Sequence, residues 1–91
     1  MNFLETGRLY EKLGNKSVSL LKKDLMSAGY WYSSAADYYQ MAGDEENFRR
    51  LKDLALKYLL SYLENQKKDV VIDTGQIYLW ISYIHRSLGN L

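Results

Sequence analysis

From Val18 to Ala42 the apolar positions are Val18, Leu21, Leu25, Ala28, Tyr32, Ala35, Tyr39 and Ala42. Steps of three and four residues alternate without a slip, which is the spacing of one face of an α-helix. The phase carries through Gly29, so the pattern predicts a single helix over about 16–42. A break at Gly29 is the alternative, because an interior glycine costs about 1 kcal/mol relative to alanine, and it would make five helices of four. A shorter helix over about 3–13 precedes it, opened by Asn2 and Glu5 at the spacing of a capping pair. A third runs over about 45–66. Asp44 stands at its cap, with Glu45 and Glu46 in the first turn where the helix dipole favours acids, and Lys67 and Lys68 follow its end. The fourth runs over about 74–88. Asp73 with Gln76 forms a capping box there, and Ile72 with Ile77 a hydrophobic staple, leaving Val70-Val71-Ile72 as a short apolar linker.

Three helix ends repeat one another: Leu9 to Asn15, Tyr38 to Asp44 and Ile84 to Asn90. In each, an aromatic ring (Tyr10, Tyr39, His85) precedes a glycine by four residues. A small residue (Gly7, Ala36, Ser82) precedes it by seven. A glycine just past a helix takes the left-handed conformation that stops it, and the following Asn or Asp caps the next helix. The small residue lets a neighbouring helix come close. Gly14, Gly43 and the 67–73 linker are therefore the expected reversals of an up-and-down arrangement.

These residues resemble the helical hairpins of tetratricopeptide repeats. Phe3, Gly7, Tyr10 and Gly14-Asn15 match the first helix of such a repeat and the turn after it. Tyr32, Ala35, Ala36, Tyr39 and Gly43-Asp44 repeat the frame, with Phe48 and Ala55 in the following helix, and Tyr78, Ile81, Ser82, His85 and Gly89-Asn90 give a third copy. The chain departs from that family in two ways. Its turn glycines are 29 and then 46 residues apart where the family period is about 34, and no proline follows the second helix. Glu5 and Arg8 occupy the face on which some such repeats carry Asn and Lys for a partner's C-terminal carboxylate. The expectation is an all-α domain over 1–91, a compact up-and-down four-helix bundle built from tetratricopeptide-like hairpins.

Composition narrows the function. In 91 residues, 47% are hydrophobic, enough for wide stripes in a chain that buries only about 60–65% of its unfolded surface. There is no cysteine, which excludes disulfides and thiolate metal sites. The net charge of +1 lacks the basic field of a duplex-binding protein. No basic and apolar leader is visible at the start, and the longest nearly apolar stretch, 77–84, is too short for a membrane span. A cytoplasmic protein without membrane contact is expected.

Catalytic chemistry finds no candidate. His85 is the single histidine, so a histidine metal site is excluded, and Ser82 and His85 are neighbours on one helix face rather than a triad with Asp73. The glycines are scattered, with no phosphate loop among them. The expectation is no enzyme, no metal and no cofactor. Asp37 falls opposite the Tyr32–Tyr39 stripe and is expected in solvent. Arg49, Arg50, Lys52 and Lys57 form a basic cluster, but Glu46 lies four residues before Arg50 and Asp53 four before Lys57, the favourable order for helix-surface pairs. A small nucleic-acid-associated regulator using Lys22-Lys23 and Arg49-Arg50 is the alternative function.

The leading expectation comes from apolar residues in excess of one core stripe. Trp31 and Tyr38 lie at the edge of the second helix's stripe. On the third helix Phe48, Leu51, Ala55, Tyr58 and Tyr62 share one face, and Leu56, Leu60 and Leu63 begin a second. With Leu54 and Leu59 the apolar arc reaches roughly 240°, where a surface helix needs little over 100°. On the fourth, Ile77, Ile81, Ile84 and Leu88 form the core stripe while Leu79 and Tyr83 point away. Leu56, Leu60, Leu63, Leu79 and Tyr83 are thus the expected contact surface for a protein partner or a second copy, unless the third helix is central and covered on two sides.

Overall fold

The computed structural model describes residues 2–19, 24–65 and 71–89, the stretch 71–74 as backbone only. It is all-α, with α1 (Phe3–Ser19), α2 (Leu25–Met41), α3 (Glu45–Asn65) and α4 (Val71–Ser87). The Cα trace measures 41 × 34 × 17 Å, thick enough for two helices at the usual 8–10 Å axial separation. Ala28, Tyr32, Ala35, Ala36 and Tyr39 of α2 form the middle of the core. Phe48, Leu51, Ala55 and Leu59 of α3 and Ile77 and Ile84 of α4 complete it.

Several ends follow the expected chemistry. Asn2 Oδ1 accepts from the Glu5 N–H at 2.8 Å, and Asp44 Oδ1 from the Asn47 N–H at 3.1 Å. At the end of α2 the Gly43 N–H reaches Gln40 O at 3.0 Å and the Asp44 N–H reaches Tyr39 O at 2.9 Å. This paired closure requires a left-handed residue, and Gly43 supplies it with φ +83°. Gly89, at φ +76°, ends α4 in the same conformation.

Three boundaries differ from expectation. Gly14 is no reversal: α1 continues through it to Ser19, and α2 begins only at Leu25, capped by Asp24, whose Oδ1 accepts from the Ser27 N–H at 3.1 Å. Val18 therefore belongs to α1, and its phase match with α2 is accidental; Leu21, Lys22 and Lys23 lie outside the described residues. Through Gly29, α2 is unbroken, as the single-helix reading requires, so the break there is not found. Finally, α4 starts at Val71, which puts Ile72 and Asp73 inside the helix rather than before it.

The reason Gly14 sits inside a helix is the neighbour it faces. A Cβ there would stand 2.7 Å from two ring carbons of Tyr32, and one at Gly7 would stand 3.2 Å from the ring of Tyr39. Gly7 and Gly14 are two turns apart on α1, as Tyr32 and Tyr39 are on α2, so each ring lies in the slot a missing side chain leaves. A buried phenol needs a partner for its hydroxyl. Tyr32 donates to Asn15 Oδ1 at 2.6 Å and Tyr39 to Glu11 Oε1 at 3.0 Å. Glu11 also takes Arg50 of α3, whose Nη2 lies 3.1 and 3.0 Å from its two oxygens. One carboxylate thus ties three helices together.

Further along α2, a Cβ at Gly29 would stand 2.5 Å from Leu59, so α3 also closes on a glycine. Outside this core a run of aromatic rings crosses the molecule. Phe3 meets Tyr38 at 6.5 Å between centroids, Tyr38 stacks on Tyr10 at 5.2 Å, and Tyr10 on Trp31 at 5.4 Å. Trp31 meets Tyr30 edge-on at 5.0 Å, and Tyr30 meets Trp80 of α4 at 5.6 Å. Trp31 and Tyr38, expected at the stripe's edge, are half-buried in this run. Of the three small residues in the repeated ends, Gly7 and Ala36 are buried at crossings, whereas Ser82 is exposed.

Two glycine substitutions separate close approach from mere helix interior. Gly14→Ala pushes a methyl into the ring of buried Tyr32 and is expected to destabilise by about 1–3 kcal/mol. A Cβ at Gly75 of α4 meets nothing within 4 Å, so Gly75→Ala is expected to stabilise by about 0.5–1 kcal/mol. Urea unfolding of both variants checks the pair, and equal effects would contradict the slot.

Tyr32 and Tyr39 both hold their protons above the ordinary value of 10.0, first because burial disfavours the phenolate. For Tyr39 the bond to Glu11 adds to it; for Tyr32 the charges of Tyr58 and Glu11 do. The folded chain therefore binds these protons more tightly than the unfolded one. Their contribution is whole below about pH 10 and is lost as pH climbs through the folded values. In an alkaline titration followed by phenolate absorbance, Tyr32 and Tyr39 are expected to ionise late and together with loss of helical signal. Tyr39→Phe should remove one of those late steps.

Candidate functional site

The five residues expected to meet a partner divide. Leu60 (44% exposed), Leu79 (46%) and Tyr83 (51%) face solvent, while Leu56 and Leu63 are half-buried and pack against the core. Helical geometry explains the split. With α2 and α4 both packed on α3, the buried arc of α3 is broad. At about 100° per residue Leu56 and Leu63 stand closer to buried Leu59 than Leu60 does. On α4, Ile77 and Ile84 are buried and Ile81 and Leu88 half-buried, as the core stripe requires, and Leu79 projects from the other side. Tyr78 is exposed beside them.

Tyr83 has a second neighbourhood. With Trp80, Arg86 and Ser87 it forms the α4 wall of a cleft of about 380 Å³. The α2 wall carries Tyr30, Ser33, Ser34 and Asp37; Gly29, Leu59 and Lys52 complete the lining. Lys52 is only 3% exposed. Its Nζ donates to Ser33 Oγ at 2.8 Å and lies 2.9 Å from Asp37 Oδ1. Burying an ammonium group costs several kcal/mol unless it is paired and hydrogen-bonded, and α2 supplies both partners. Asp37 is therefore not simply solvated, although more than half of its side chain remains exposed.

The basic cluster is neutralised, but by other partners than expected. Arg49 pairs with Glu45 at 3.2 Å, and Arg50 turns to Glu11 of α1 rather than to Glu46. Lys57 lies over the ring of Tyr58 at 5.5 Å rather than pairing with Asp53. Three of the four cations thus hold a carboxylate, which leaves little for a phosphate backbone. Ser82 is exposed and His85 half-buried on α4, while the side chain of Asp73 is outside the description. Among the described residues no group of three His, Asp or Glu side chains is placed to hold a metal ion, and no helix is long and apolar enough to cross a membrane. No protein-family model, characterised protein or solved structure matches this chain.

Sequence reasoning missed the cleft. Its signal was Lys52, which falls on the same helical face as Phe48, Ala55 and Leu59 and so interrupts an apolar stripe, while Asp37 is a lone carboxylate among the aromatics of α2. The pair is unequal in burial, and its two halves should respond unequally. Asp37→Asn leaves a buried cation without its counter-charge and is expected to cost about 1–3 kcal/mol. Lys52→Met leaves only a half-exposed carboxylate and should cost less or stabilise. Thermal unfolding of the two variants checks the order.

Proposed function

We propose that this protein is a small non-catalytic interaction module of the cytoplasm, binding a protein partner or a second copy through an apolar helical surface. One observation carries the reading: opposite its packed stripe, α4 carries large apolar side chains in solvent. Leu79, Tyr83 and Tyr78 stand exposed on it, with Leu60 exposed on α3. A surface helix usually keeps its apolar residues to the stripe that faces the core, and monomers rarely leave large contiguous apolar patches in water. Burying a leucine side chain is worth about 1.5–3 kcal/mol, so a few of them offset a good part of the cost of association. The tetratricopeptide-like hairpins, which resemble a family built on helix pairs, belong to the same proposal. The nucleic-acid alternative loses support from the ion pairs of Arg49 and Arg50.

Replacing Leu60 and Leu79 together by glutamine tests the reading without touching the cleft. The double variant is expected to keep its helical signal and melting temperature. A photo-crosslinker at residue 79 identifies the partner in cells, and titration of that purified partner, or sedimentation where it is a second copy, should then show at least about tenfold weaker association for the variant. If the variant unfolds, these leucines are core. If it associates like the parent, the contact lies elsewhere.

A further inference from the structure

The cleft between α2, α3 and α4 has features a structural ion pair does not need. Lys52 has three N–H donors, and two are taken by Ser33 and Asp37. No acceptor for the third is seen among the described residues. Arg86, with five donors of its own, lines the same cleft and makes no ion pair among the described residues. Two cations therefore share the cleft with one carboxylate, and that carboxylate is already engaged by Lys52. Apart from Asp37 the polar side chains around it are donors or hydroxyls. A buried lysine is also an expensive way to fill a helix interface, because an apolar residue of similar volume is usually neutral or stabilising there.

The other walls are apolar and aromatic. Tyr30 and Trp80 are inclined at 46° with centroids 5.6 Å apart, so neither ring covers the face of the other. Leu59 and Gly29 lie behind them, and the missing side chain at Gly29 keeps that wall shallow. A cavity of about 150 Å³ holds benzene, so about 380 Å³ leaves room for one ring and a substituent. Mostly apolar walls with a few convergent polar groups are what small-ligand sites present.

We propose that this cleft binds a small planar ring carrying one anionic group, carboxylate or phosphate, with the ring against Tyr30 and Trp80 and the anion between Lys52 and Arg86. A cationic ligand meets two like charges here and a carboxylate that is already taken. A neutral ring gains the apolar walls and forgoes the charge-assisted bonds, which are about twice as strong as neutral ones. The site uses neither Leu60 nor Leu79 and does not depend on the interaction proposed above.

The two tryptophans give an internal reference, because Trp80 lines the cleft while Trp31 stands outside it, one ring away against Tyr30. The indole N–H resonances of the intact chain are to be followed on titration with benzoate, phenyl phosphate, benzyl alcohol and benzylamine. The expected result is a saturable shift of Trp80, larger than any at Trp31, for at least one of the two anions; the tighter of them gives the class of the natural ligand. Lys52→Met and Arg86→Gln should each weaken that anion by at least about tenfold, as expected for loss of a charge-assisted bond, with helical signal retained. Arg86 is exposed, so its variant carries the decision if Lys52→Met fails to fold. The proposal is overturned if neither anion shifts Trp80, if Trp31 shifts as far as Trp80, if benzyl alcohol or benzylamine binds as tightly, or if the folded variants bind like the parent.

Discussion

The distance between α1 and α2 depends on two glycines, and most of the remaining structure depends on that distance. Gly7 and Gly14 have no side chains to hold the second helix away, so the rings of Tyr39 and Tyr32 rest against the α1 backbone. This close approach carries a condition. A ring seated that deeply brings its hydroxyl into the interface, where an unpaired polar group costs about 1–3 kcal/mol. Asn15 and Glu11 meet the condition for Tyr32 and Tyr39. Asn15 directly follows Gly14 and Glu11 lies one turn beyond Gly7, so each acceptor is carried by the helix that provides the slot. Because Glu11 also binds Arg50, the same contact fixes where α3 stands.

Organisation around α2 follows from this. Its Tyr32 and Tyr39 belong to α1, its Gly29 admits Leu59 of α3, and its Ser33 and Asp37 hold Lys52. Trp31 and Tyr38 continue outward into the aromatic run with Tyr10 and Phe3. Every side of α2 is thus assigned. By contrast, among its described side chains α4 buries two isoleucines, Ile77 and Ile84, with Trp80 and other half-buried residues packed around them. Local stability follows buried apolar contact, so α4 is the element that opens most easily. The cleft and the exposed Leu79 both belong to this less committed side, where a ligand or partner adds burial the chain does not supply itself.

Helix content, the α2 stripe and the α4 stripe were legible because apolar periodicity reports burial directly. Ala28, Tyr32, Ala35 and Tyr39 are all buried, as are Ile77 and Ile84. Gly14 was not legible, for a physical reason: glycine ends helices through its backbone freedom and admits neighbours through its missing Cβ, and the two uses leave the same letter. What distinguishes them is whether a large ring lies opposite, and only the register of α1 against α2 shows that Tyr32 does. The start of α2 was obscured in the same way. Val18 fell in phase with a helix to which it does not belong, and that hid the capping signal of Asp24. Leu56 and Leu63 were misplaced because a helical wheel gives the angle of a side chain and not the width of the surface laid over it.

Lys52 shows how a polar residue inside an apolar stripe adds information that leucine at the same place would not. Apolar faces slide over one another at modest cost, so apolar burial alone specifies the register of α2 on α3 less sharply than a polar contact does. A lysine that finds both Ser33 at 2.8 Å and Asp37 at 2.9 Å does so in one register. Ser33 and Asp37 are themselves one turn apart, so a slide of one helical turn, about 5.4 Å, would keep one of them and lose the other. The wrong register therefore leaves a buried ammonium group short of a bond or of its counter-charge, while the right one gains little over an apolar residue. The pair contributes to uniqueness more than to stability. That same fixed register brings Asp37, Ser33 and Lys52 to one wall of the cleft, so the device that aligns two helices also sets the charge that a ligand meets.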